Sequence, residues 1–230
     1  MSNAGFNAAT DIFGLGDAFA VKGANLNRSC STAECKNYLG DVTHRDQHSG
    51  KIAPTAEYEL VKEINKIEFL GKVVEIDGKT VAIESVSVNT AVGSAPTFSV
   101  TGKQIEDGGK TKRTYECPAV KVTPRHRAQD ITGDLGETTP ETLTSAAFTF
   151  SVDITTTENK GVISASDCSN GRYEARYSHT VGDGSEITAP AVSGSKVVSA
   201  PVSKNMPENG YVEYTYAING TLTGKEATAA

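Results

Sequence analysis

Ala147-Phe148-Thr149-Phe150-Ser151-Val152-Asp153-Ile154-Thr155 decides how this chain is read. Phe148, Phe150, Val152 and Ile154 take every second place, with Thr149, Ser151 and Asp153 between them. Successive side chains on a strand point to opposite faces, so this stretch predicts a strand with one buried and one wet face. Tyr211 to Leu222 repeats the pattern through Val212, Tyr214, Tyr216 and Ile218.

Working outward, the same period recurs. Ala18 to Leu26 reads as a first strand, and Ala56, Tyr58 and Leu60 alternate with Glu57 and Glu59. Helical spacing of Leu60, Ile64 and Ile67 competes there, but Lys66 to Leu70 resumes period two, and strand is preferred. Asp77-Gly78 between apolar runs is a hairpin turn. In Thr80 to Val88 the apolar phase changes between Val81/Ile83 and Val86/Val88. Thr97 to Ile105 carries Phe98 and Val100, and Asp107-Gly108-Gly109 is a second turn. Pro118 splits or bulges the run Thr114 to Val122. Arg172 to Val181 sets Tyr173, Ala175 and Tyr177 against Arg172, Glu174 and Arg176. Other stretches read differently. Ser29 to Tyr38 is polar, with room for a short helical turn through Ala33, Glu34 and Cys35; Asp41 to Lys51 is read as a polar loop; and Asn159-Lys160-Gly161 suggests a turn, with an irregular loop around Ser164 to Gly171 as the alternative.

These readings give an all-β fold: an antiparallel β-sandwich or barrel with long loops, an extended N-terminal arm and at most one short helix. The arm is residues 1–17, the domain 18–222 and the C-terminal tail 223–230. A subdomain junction near 123–145 is an alternative to a long surface loop, since Pro124, Gly133, Gly136 and Pro140 crowd a stretch poor in apolar residues. Removing residues 1–17 is expected to spare folding.

At 230 residues, with 37% apolar residues, the chain has material for a sizeable core. A net charge of −6 argues against duplex binding and favours solubility. Met1 to Ala20 lacks the charged and apolar regions of a secretory signal, so synthesis in a cytoplasm with reduced thiols is expected. Cys30, Cys35, Cys117 and Cys168 form no CxxC pair, which disfavours structural zinc. His44, Asp46 and His48 would share a strand face and could hold a metal, although a solvated loop is the plainer reading. Lys121, Arg125, His126 and Arg127 could touch phosphate, but a solvated face or an inter-subunit ion pair is the plainer reading.

No GxSxG, HExxH, Walker or EF-hand motif occurs. Asp77, Asp107 and Asp183 each precede a glycine, and turn geometry accounts for them. The expectation is a protein that is not an enzyme, with no catalytic, cofactor or metal residue and no membrane span. The absence of Trp mildly disfavours a lectin.

The chain resembles the major tail-tube proteins of long-tailed bacteriophages. The resemblance rests on Ala18 to Leu26 followed by Thr32-Ala33-Glu34-Cys35-Lys36-Asn37-Tyr38-Leu39-Gly40, a return near Ala56 to Leu60, and the runs Lys79 to Val88 and Pro96 to Gly102. It spans Ala18 to Val122 as a pattern of elements, and the sequence after Thr123 departs from it. It implies a virion protein of the tail, made in the host cytoplasm. Its partners would be itself, in hexameric rings stacked into a tube, and other tail proteins, with DNA passing unbound. A capsid decoration or head-completion protein, or a β-sandwich carbohydrate- or surface-binding module, are the alternatives.

Overall fold

The computed structural model describes residues 11–109, 113–124, 131–136, 140–159, 161–182, 195–198 and 211–226. Its frame is a nine-stranded antiparallel sheet. The first half of the chain supplies β1 (Phe19–Lys36), β2 (Val42–Leu60), β3 (Val73–Ile76), β4 (Lys79–Ala91) and β5 (Ser94–Gln104). The second half supplies β9 (Leu143–Asn159), β10 (Val162–Gly182), β11 (Ser195–Val198) and β12 (Tyr211–Thr221). The order is β1-β2-β5-β4-β9-β10-β12-β11, with β3 on the far half of β4. Two small ribbons lie off this sheet: β6 (Arg113–Glu116) with β13 (Thr223–Glu226), and β7 (Val120–Lys121) with β8 (Thr132–Gly133). The fold is all-β and sandwich-like; the one helical turn among the described residues is the 3-10 turn Pro140–Thr142.

Register turns the alternation in the sequence into layers. One inner row runs Ala56–Val100–Val86–Phe150–Tyr173, and the next runs Tyr58–Phe98–Val88–Phe148–Ala175–Ile218. All of these residues are buried. A one-residue slip anywhere would turn a strand's apolar set toward water, so each ladder specifies its neighbours. The phase change in β4 is a bulge between Ile83 and Ser85. The second break, between Ser169 and Arg172 in β10, holds Asn170 at a φ of 51°.

The inner face is covered by the segment 11–18, the loop 61–72, the two small ribbons and the residues beside them. Phe13, Ile67, Leu135 and Val120 are fully buried there. Phe19 meets Phe98 edge-on at 5.0 Å and Phe69 at 5.6 Å. Tyr115 spans from β6 to the Cys168 carbonyl, to which its hydroxyl donates at 3.0 Å. Its ring fills the space that a side chain at Gly171 would need, with an added Cβ only 2.3 Å away.

Several expectations are corrected. The second part of the proposed arm is no arm: Phe13 is fully buried, and Asp11 accepts hydrogen bonds from the Tyr58 hydroxyl at 2.9 Å and the Gly16 amide at 3.0 Å. Residues 1–10 lie outside the described residues. Deleting 1–17 would therefore remove core, so the expectation that it spares folding is withdrawn. Ser29 to Lys36 is strand, not helical turn, and residues 42–51 are its partner strand, not a loop, because cross-strand pairing overrides local preference. The irregular loop weighed as an alternative at Ser164 to Gly171 belongs to β10, which starts at Val162 just after β9 ends at Asn159, and the strand expected at Lys66 to Leu70 is irregular chain with Ile67 and Leu70 buried. Four residues of the expected tail form β13. In the stretch weighed as a subdomain junction, Ile131 and Leu135 join the common core, and β9 pairs directly with β4.

Phe13→Ala should cost about 3–5 kcal/mol in urea unfolding. Gly102→Ala should also destabilise, by about 1–3 kcal/mol, since the new Cβ would lie 2.6 Å from Val81 Cγ1 and 2.8 Å from the Phe13 ring. Phe150→Pro breaks a strand paired on both sides and should leave no cooperative melt in circular dichroism.

Candidate functional surface

The outer face of the sheet is a carpet of small polar side chains. One row runs Thr55–Thr101–Ser85–Ser151–Arg172. The next runs Glu57–Ser99–Ser87–Thr149–Glu174–Asn219, and a third Glu59–Thr97–Asn89–Ala147–Arg176. Two shallow clefts of about 470 Å³ each open on this face, one beside Thr55 and Glu57 and the other beside Arg172 and Glu174. Neither gathers a nucleophile with a base, and among the described residues no group of His, Cys, Asp and Glu could hold a metal.

Arg172, Arg176 and Lys103 on this face are neutralised in place. Arg172 reaches Asp153 at 3.0 Å and Ser151 Oγ at 3.2 Å, and Arg176 pairs with Glu174. Lys103 lies 3.9 Å from Glu84 and also donates to the Ile154 carbonyl. Glu57 and Glu59 make no ion pair among the described residues, which leaves the β2 side of the face acidic.

Two ribbons continue past the sheet. β2 pairs with β5 only over Thr55–Glu59, while its pairing with β1 runs on to Lys36 and Val42. About ten residue pairs therefore stand two-stranded, a reach of roughly 30 Å at ~3.3 Å per residue. β9 and β10 likewise run together past Ser151, where β9 leaves β4. Both leave at the end of the sheet marked by Val81 and Gln104. The tip of the first ribbon is held by Asn37, whose side-chain oxygen accepts from the Leu39 and Asp41 amides at 2.9 Å each. It presents Tyr38, 95% exposed, and Leu39, 69% exposed. At the opposite end, Val61 and Val92 are the exposed large apolar residues.

The residues singled out from the sequence do not converge. His44 is exposed on β2 opposite Cys35, and the side chains of Asp46 and His48 lie outside the described residues. Lys121 pairs within the chain, with Glu63 at 2.9 Å, while Arg125, His126, Arg127 and Asp183 lie outside the described residues. Asp77 opens the β3–β4 turn at a φ of 54°. His179, buried on β10, faces Thr142 Oγ1 at 3.0 Å and stacks on Tyr216. The projecting ribbon was missed by sequence reasoning; the signal was residues 42–60, whose alternation is weak because none of the described residues covers their outer half.

No protein-family model matches this chain, and no curated protein matches it. No helix among the described residues is long and apolar enough to cross a membrane.

The thiols divide by position. Cys30 and Cys35 are exposed, while Cys117 and Cys168 are buried. Burial pushes the Cys117 thiol up to about 12, and burial followed by the nearby Asp167 charge pushes Cys168 up to about 11, from 9.0. Native protein should titrate two fast thiols with a chromogenic disulfide, and four after denaturation. Above pH 9 the unfolded chain loses thiol protons that the folded chain keeps, so folding should weaken as pH rises from about 9 toward 11–12. Urea melts on either side of pH 9 check the sign, and a Cys117→Ala/Cys168→Ala double variant should flatten this slope.

Proposed function

We propose that this protein is a structural, non-catalytic subunit that assembles with copies of itself, as a ring-forming component of a bacteriophage tail tube. The observation that carries the reading is the wide polar sheet face, open at both lateral edges. Among the described residues β1 pairs only with β2, and β11 only with β12. An open edge presents amides and carbonyls that another strand can satisfy, and cyclic repetition satisfies every edge without leaving a terminus.

Such a ring would place the hydroxyl carpet toward a common axis. A polyanion moving past it would meet neutralised arginines and the uncompensated Glu57 and Glu59, and would find no unmatched cationic patch among the described residues. The ribbons extend from one end only, and exposed apolar residues mark both ends, which suits head-to-tail stacking. The long isolated ribbon points the same way, since a two-stranded hairpin gains little stability from itself in water.

The expected result is a concentration-dependent step from monomer to rings of constant diameter in sedimentation, with rings and short tubes under negative-stain microscopy. A compact monomer at every concentration would sink the proposal, and labelled protein on phage heads would move it to the head.

A further inference from the structure

We propose that the first ribbon is an arm hinged at its root and latched by two ion pairs, so that ionic strength sets its angle to the sheet. The inference goes beyond the assembly reading and does not depend on it.

The hinge has three parts. Pro54 is the last residue of β2 before the ladder with β5 begins at Thr55, and proline has no amide proton to extend that ladder. The next amide outward on that side, at Ile52, is taken by the Gln104 side chain at 3.0 Å instead of by a backbone carbonyl of β5. A bulge follows just beyond the root, again on β2, where Ser49 and Gly50 together stand opposite Cys30 between the pairs Ser29–Lys51 and Ser31–His48. β2 thus loses regular pairing toward β5 and then toward β1 close to one level, and a bulge bends the strand that carries it.

The latch spans this level from both sides. Arg28 on β1 reaches Asp77 in the β3–β4 turn at 2.6 Å. Lys51 on β2 pairs with Glu158 on the second ribbon. Past these two pairs, the one ion pair of the first ribbon among the described residues, Arg45 with Glu34 at 2.7 Å, is internal to it and does not restrain its angle. All four latch groups are partly open to solvent, and exposed pairs are screened by salt.

The test is a distance distribution by double electron–electron resonance on the full-length chain, diluted to the monomer. Spin labels go on native Cys35 and on Glu75→Cys, in a Cys30→Ser background; the other two cysteines are buried. A narrow distribution at low salt should broaden roughly twofold in about 1 M salt, where screening acts within ~3 Å. Asp77→Asn/Glu158→Gln should be broad at both salt levels. Swapping charges within the first pair, Arg28→Asp with Asp77→Arg, should restore the narrow distribution. Distributions that are identical in native and neutralised proteins, or indifferent to salt, overturn the latch. So does broadening that comes with an early global melt, because the arm would then move only as the whole domain loosens.

Discussion

Everything else in the structure depends on the pairing of β4 with β9. Val86 lies opposite Phe150, and Val88 opposite Phe148, at the seam of the large sheet that joins the two halves of the chain. Strands pair with their sequence neighbours cheaply, but this seam closes a loop from Ala91 to Leu143 and carries the entropy of doing so. It holds because both strands bring buried, space-filling side chains to the same face. Once it is set, the parity of every ladder on either side follows, and the apolar rows run unbroken from Ala56 to Ile218.

The same parity creates the outer surface. A strand that puts Phe148 and Phe150 inward must put Thr149 and Ser151 outward. The polar face is therefore not an addition to the fold but its other half. Its charges add little to stability, since exposed ion pairs are worth about 0–1 kcal/mol each. What they change is the potential of the face, which their pairing keeps from becoming cationic.

The strands that form the core were legible in the sequence because burial writes a period of two. Phe148 to Ile154, Tyr173 to Tyr177 and Phe98 to Val100 all sit where alternation places them. Even the phase shift in β4 was visible, and it marks a real bulge. The ribbon was not legible, for the converse reason: Ser29 to Lys36 and Val42 to Gly50 are strands whose outer parts have no covered face, so no apolar period records them. The segment around Phe13 misled in another way. Its apolar residues are few and flanked by glycines, and only the gap over Gly102 makes Phe13 part of the core. No cluster of reactive groups emerged on the candidate surface, whose character comes from register across strands distant in sequence, and a single chain read in order does not display register.

Gly171 and Gly220 bear differently on how such a chain can change. Each lies under a tyrosine ring, Tyr115 over the first and Tyr173 over the second, with no room for even a methyl group. On paper they are ordinary strand glycines, which weaken a sheet. In place they are sockets, and each is tied to its ring: a side chain at either glycine fits only if its tyrosine gives way to something smaller. The descendants of this sequence would drift freely across the hydroxyl carpet, where one small polar residue serves as well as another. At these two glycines they would change together with the ring above or not at all.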